Sequence, residues 1–165
     1  MPSTPSASST ISNALAAPDL FLDSSALFAG VASPTGAARV LLLLAEAGRI
    51  RLTISDQVLV ETERALTRKL PSALPAFQHV LHSSRVRRVN DPSPEAVARH
   101  QDLIRHAADI PIVVAAMHAG VDYLVTLNRR HFIDDPEVAR KSGLRIGTPG
   151  DALTWVRQQL TGGGA

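Results

Sequence analysis

Asp109-Ile110-Pro111-Ile112-Val113-Val114-Ala115-Ala116-Met117-His118-Ala119-Gly120, running on into Val121-Asp122-Tyr123-Leu124-Val125-Thr126, is the stretch on which the fold turns. Residues 109–119 predict a short helix that is apolar almost all round, and a helix without a polar face is buried on most sides. Gly120 is its stop, Pro111 sits in the first turn where a missing N–H costs nothing, and an apolar strand follows at Tyr123–Thr126. A buried helix feeding a buried strand is one unit of a parallel sheet covered by helices.

Working outward, the same βα rhythm recurs from Pro18 onward. Strands are predicted at Asp19–Leu22, Arg51–Ile54, Val86–Val89, Tyr123–Thr126 and Leu144–Ile146. The first helix is expected over Thr35–Ala47, closed by Gly48. The next runs from an N-cap at Ser55 to Leu70, before Pro71. Further helices are expected over Leu74–His82, Pro94–Arg105, Asp135–Lys141 and Gly150–Leu160. The fold class is α/β, a three-layer α/β/α sandwich with a central parallel sheet of about five strands.

At 165 residues the chain holds one domain with a full core. Residues 1–17 carry no charged side chain and lack the pattern of a secretory signal, so they read as a disordered tail, with 18–160 as the domain and 161–165 as a flexible C-terminus. There is no cysteine, which excludes disulfides, thiolate metal sites and a cysteine nucleophile and fits a reducing cytoplasm. The longest apolar run, Val40–Ala45, is far short of a membrane span. A net charge of +2 permits nucleic-acid binding without demanding it. Two basic clusters stand out, Arg85/Arg87/Arg88 and Arg129/Arg130/His131. For the first, a solvated face is the favoured reading.

Four oxygen-bearing side chains carry the chemical signal. Asp23 follows the first strand in Phe21-Leu22-Asp23-Ser24-Ser25, at the strand end where α/β sheets collect ligands; a turn or cap is its simpler role. Asp109 opens the apolar helix, where an N-cap and a metal ligand are compatible roles. Glu61 and Glu63 both lie at edges of the Val58/Leu59/Ala65/Leu66 stripe, and helical spacing does not choose between them. Asn128 follows the Tyr123 strand, as a turn residue or an amide ligand. Gathered at one sheet edge, such carboxylates stay ionised only with a cation among them. Oxygen donors without thiolates point to Mg²⁺ or Mn²⁺, whose matching chemistry is phosphodiester hydrolysis.

These segments also carry a family resemblance. Phe21-Leu22-Asp23-Ser24-Ser25-Ala26-Leu27, Glu61-Thr62-Glu63-Arg64-Ala65-Leu66, and Ala108-Asp109-Ile110-Pro111 through Gly120-Val121-Asp122-Tyr123-Leu124-Val125-Thr126, with Asn128 and His131-Phe132 beyond, resemble a PIN domain (PilT N-terminal domain), the fold of VapC-type toxins. The resemblance spans about Leu20 to Leu160. It implies Asp23, Glu61 and Asp109 as acidic metal ligands, choosing Glu61 over Glu63, with Ser25 and Thr126 in support. Asn128 stands where many members carry aspartate, which implies weaker or water-mediated coordination at the fourth position; Asp134 or Asp135 is a candidate replacement. Asp122 would be structural, and His131 packed or phosphate-facing.

The implied activity is a Mg²⁺- or Mn²⁺-dependent ribonuclease of a type II toxin–antitoxin pair, with Arg129 and Arg130 meeting RNA phosphates and little base stacking from a 4% aromatic content. A cognate antitoxin is the implied partner. A homodimer is expected too, with Leu74–Val80 either its surface or part of the core. The main alternative is a non-catalytic PIN scaffold that binds RNA or a protein. A haloacid-dehalogenase-like phosphatase would need a second Asp where Ser25 stands. A receiver domain would need a lysine after a late strand, and only Lys69 and Lys141 are present.

Overall fold

The computed structural model describes residues 16–162. Most of the expected N-terminal tail, 1–15, and the last three residues of the expected C-terminal tail lie outside the described residues. A five-stranded parallel sheet forms the centre, in the order β3-β2-β1-β4-β5. The strands are β1 (Asp19–Leu22), β2 (Arg51–Ser55), β3 (Arg87–Val89), β4 (Tyr123–Val125) and β5 (Arg145–Gly147). All four neighbouring pairs are parallel, with Phe21 in register with Thr53 on one side and Leu124 on the other.

Helices α1 (Ser24–Ala32), α2 (Ala37–Glu46), α3 (Asp56–Lys69) and α4 (Leu74–Ser83) fill the crossovers that run from β1 outward to β3. Helices α5 (Pro94–Ala98), α6 (Ile110–Ala119), α7 (Arg129–Phe132) and α8 (Pro136–Ser142) lie in the crossovers that return through β4 to β5. Because parallel crossovers are right-handed, reversing the direction of travel moves the helices to the opposite face. The last helix, α9 (Pro149–Gly162), packs on α2, β4 and β5. No single helix among the described residues is long and apolar enough to cross a membrane.

The sheet and α6 make the core. Leu20, Phe21, Leu22, Leu52, Ile54, Leu124 and Val125 are buried, as are Ile110, Ile112, Val113, Val114, Ala115 and Ala116 of α6. Gly120 ends α6 with φ +67°, in the left-handed region. Ser55 caps α3 by accepting the Val58 N–H, and Pro71 follows α3 directly within a short 3₁₀ turn. Phe77 and Val80 lie in the core, so core packing is the reading that fits the Leu74–Val80 segment.

Three helices depart from the sequence expectation. Helix α1 is absent from that reading, and its cause is tertiary: a Cβ on Gly30 would stand 2.7 Å from Leu42 Cδ1 and 3.1 Å from the Ala38 carbonyl oxygen. The residue least favourable to a helix is there so that α1 and α2 can touch. Helix α5 stops at Ala98 instead of reaching Arg105. The His100 Nδ1–H takes the Ala96 carbonyl at 2.7 Å and the His100 N–H turns back to Val97, which closes the helix while Leu103 and Ile104 insert into the core. The short α7 was not foreseen either.

The N-terminal end of the sheet is pinned by charge. Asp19 accepts from the Arg87 guanidinium at 3.0 Å and from the Thr53 hydroxyl at 2.7 Å, and Asp122 accepts the Asp19 N–H at 2.8 Å. Arg87 also donates to the Ala119 carbonyl, and at the other end of β2 Arg88 pairs with Asp56. Two arginines of the first basic cluster thus serve the fold.

Candidate functional site

The strand order reverses between β1 and β4, and the crevice beyond their carboxyl ends is where such sheets bind ligands. Asp23 leaves β1 at this point and Thr126 leaves β4. Asp23 occupies the N-cap position of α1 but makes no side-chain cap, and it is buried at 4% exposure. Its Oδ2 accepts from the hydroxyls of Thr126 at 2.6 Å and Ser25 at 3.0 Å, and its Oδ1 from Ser24 at 3.2 Å. Among the described residues, its side-chain donors are all neutral hydroxyls.

Glu61 projects from α3 into the same region, whereas Glu63 is exposed on the other side of the helix. The Ser24 hydroxyl stands between the two acids and shares its one proton between them, with Glu61 Oε2 the nearer acceptor at 2.9 Å. The other oxygen of Glu61 accepts from Gln57 Nε2 at 2.8 Å, one helical turn earlier. Gln57 Nε2 also reaches the Ala108 carbonyl at 3.1 Å, tying α3 to the segment that carries Asp109.

Asp109 precedes α6 and, like Asp23, does not cap its helix. Its Oδ2 lies 2.8 Å from His131 Nδ1 and 3.0 Å from His106 Nδ1. A carboxylate can only accept here, so both imidazoles carry their proton on Nδ1. No protein donor among the described residues meets its other oxygen. Asn128 caps α7, its Oδ1 accepting the His131 N–H at 3.2 Å, and its own N–H donates to the Thr126 hydroxyl at 3.0 Å. Its Nδ2 is 3.0 Å from His131 Nδ1. With the proton of that nitrogen directed at Asp109, this contact is not a hydrogen bond, and Asn128 holds the His131 segment through the backbone N–H alone.

The structure thus links Asp23, Glu61, Asp109, Asn128, Ser25 and Thr126 through one hydrogen-bonded network. Glu61 and Asp23 share Ser24. Asp109 is reached through Gln57 on one side and through Asn128 and His131 on the other. No lysine or arginine nitrogen comes within 4.0 Å of the three carboxylates among the described residues. Ser24, Gln57 and His106 were missed in the sequence, although Gln57 stands four residues before Glu61 and His106 three before Asp109.

The two arginines beyond β4 diverge. Arg129 contributes its charge to Asp151, while Arg130 lines a cleft beside the two histidines. Asp135 caps α8 by accepting the Glu137 N–H and faces Arg105 at 3.7 Å, and Asp134 opens onto the cleft. Neither is part of the hydrogen-bonded network.

Which ion would fit follows from the donors. His106, Asp109 and His131 bring ligand atoms within 4.8 Å of one another. The two rings, however, are stacked 4.3 Å apart with planes tilted by 23°, and near-parallel rings do not aim in-plane lone pairs at one ion about 2 Å from each. The carboxylates are the better donors, and an all-oxygen set suits a hard divalent cation.

Comparison with known proteins gives the same frame. A PIN domain family model matches residues 19–130. Among solved structures, PAE2754 from Pyrobaculum aerophilum superposes with a TM-score of 0.59 at 21% identity, over 87% of this chain and 98% of that one. VapBC2 from Rickettsia felis, solved bound to a DNA fragment from their promoter, gives 0.56 at 19% identity over 79% and 98%. Identities this low establish likeness of fold alone. No curated protein sequence gives a significant match.

Proposed function

The chain belongs to the PIN domain family, and from that premise we propose that it is a Mg²⁺- or Mn²⁺-dependent endoribonuclease, the toxin of a type II toxin–antitoxin pair working in the cytoplasm. The observation that carries this reading is the set of three carboxylates from three separate elements, linked by hydrogen bonds beyond β1 and β4 with no lysine or arginine within 4.0 Å of them among the described residues. A divalent cation is the natural counter-charge for carboxylates that no lysine or arginine meets. The oxygen donors of the set, and the burial of Asp23 among hydroxyls, fit a hard ion.

Asp23, Asp109 and Glu61 would hold that ion, with the amide of Asn128 at the edge of the site. A divalent ion bound there supplies water activation and charge stabilisation for phosphodiester hydrolysis. The chain's own residues do the positioning. Ser25 and Thr126 fix Asp23 so that it need not reorganise when the ion arrives, and Ser24 and Gln57 orient Glu61. His106 and His131 hold one oxygen of Asp109 and leave the other for the ion. The VapC resemblance and the fold likeness to VapBC2 support a small antitoxin protein as partner.

The test is growth and RNA integrity after induced expression of wild type and Asp23→Asn. Wild type should arrest growth and degrade RNA where the variant does neither; equal behaviour removes the ribonuclease. Calorimetric titration with Mn²⁺ separates the enzyme from an inactive scaffold, which would show no binding that depends on Asp23 and Asp109.

A further inference from the structure

Beside Asp109, a cleft of about 500 Å³ lies between the α5–α6 connection, which supplies Arg105 and His106, and the α7–α8 corner, which supplies Arg130, His131, Asp134 and Asp135. Its volume suits a nucleotide. We propose that this cleft is a nucleotide subsite for single-stranded RNA, in which a base stacks on the His106 ring and the adjoining phosphate pairs with Arg130. The proposal rests on the ribonuclease reading for the identity of its ligand as RNA.

Three features point to a nucleotide rather than to an inorganic anion. One face of His106 lies against His131 at 4.3 Å, yet its side chain is 53% exposed, so the opposite face and the ring edge are open to the cleft. An aromatic ring locked from behind is a stacking platform with little conformational entropy left to lose. The Nδ1 atoms of both histidines are held by one oxygen of Asp109, which keeps the platform in fixed relation to the proposed cleavage centre.

The wall charge is mixed: Arg105 and Arg130 against Asp134 and Asp135. A bare phosphate gains little from a wall whose charges cancel. A nucleotide uses both signs, its phosphate on the free guanidinium and its base or ribose donors on a carboxylate. Arg105 is partly engaged with Asp135 at 3.7 Å, whereas Arg130 has no ion-pair partner among the described residues, which makes it the phosphate ligand of choice.

The test is fluorescence anisotropy of the full chain with a labelled oligoribonucleotide of about eight nucleotides, in EDTA so that no cleavage occurs. His106→Ala should weaken binding about tenfold and His106→Phe should restore it to within about threefold, since a phenyl ring stacks but cannot bond Asp109. Arg130→Ala should weaken binding about tenfold, while Arg157→Ala, which removes the same charge away from the cleft, should change it less than twofold. A nucleoside monophosphate should compete and inorganic phosphate at equal concentration should not. Circular dichroism melts confirm that each variant is folded.

Equal binding by wild type and both His106 variants, or equal losses for Arg130→Ala and Arg157→Ala, overturns the subsite. The readouts also separate it from the reading beneath it. RNA binding that follows His106 and Arg130 in a protein that cuts no RNA with Mg²⁺ or Mn²⁺ keeps the subsite and removes the nuclease. Cleavage by a protein whose RNA binding ignores both residues does the reverse.

Discussion

Asp19 and Asp23 stand at opposite ends of one strand and live in different electrostatic worlds. Asp19 meets Arg87 at 3.0 Å and Arg51 at 3.9 Å, so the N-terminal end of the sheet is neutralised by the chain itself. Among the described residues, the side chains that meet Asp23, Glu61 and Asp109 offer hydroxyls, an amide and imidazoles only. The first arrangement holds the sheet together. The second leaves three carboxylates that no lysine or arginine meets among the described residues, where a hard cation would fit.

Exchanging the two aspartates in turn is the strongest way to break this contrast. Asp23→Asn should lower ribonuclease activity by about 100-fold or more, as loss of a metal ligand does, with a melting temperature equal to or above that of wild type. Asp19→Asn should do the opposite. Leaving Arg87 partly buried without its partner costs about 2 kcal/mol, discounted for its exposure, while cleavage per folded molecule stays within twofold. Matching losses of stability from both variants would dissolve the distinction between the ends.

Metal linkage sharpens it. Mn²⁺ at about 100 times its dissociation constant should stabilise the native chain by about 2.7 kcal/mol, seen as a rise in the midpoint of urea unfolding. That increment should persist in Asp19→Asn and vanish in Asp23→Asn. Thr126→Val probes the neutral donors at the same end: it keeps the shape but removes the 2.6 Å hydrogen bond to Asp23, at a cost of about 1 to 2 kcal/mol. Mn²⁺ affinity should fall about tenfold as Asp23 loses its orientation.

What the sequence disclosed divides along the same line. The strands, α6 and the positions of Asp23 and Asp109 were legible because periodicity and strand ends are local. Glu61 was reachable only by resemblance, since helical spacing places Glu63 equally well and burial decides between them through contacts far away in the chain. Ser24 looked like any hydroxyl after an acid until α3 arrived beside it. Helix α1 was hidden by Gly30, whose value lies in the space it leaves: a Cβ there would stand 2.7 Å from Leu42 Cδ1. His106 was silent because stacking on His131 joins residues 25 apart in the chain, and Arg87 read as a solvated charge because its partner, Asp19, lies 68 residues away. Partnerships across the sheet have no period.

Asp151 offers the smallest effect and the finest control, because it is an acid near the same crevice that the chain does satisfy. The Thr148 N–H donates to its Oδ2 at 3.0 Å, and its own N–H donates to the Thr148 hydroxyl at 3.2 Å, a reciprocal cap at the start of α9. The Thr148 N–H above all, then its hydroxyl and the charge of Arg129, hold the Asp151 carboxyl below the ordinary carboxylate range against slight burial. A carboxyl whose pKa is lower in the folded state contributes stability above its unfolded value of 3.8, and that contribution is lost as pH falls through the folded value. Asp151→Ala should therefore cost less than about 1 kcal/mol at pH 7, with the gap to wild type closing as melts are taken from pH 5 toward pH 2. Mn²⁺ should stabilise this variant as much as it does wild type. Asp151 stands outside the hydrogen-bonded network of Asp23, Glu61 and Asp109, so a Mn²⁺ response that depended on Asp151 would move the metal site away from Asp23.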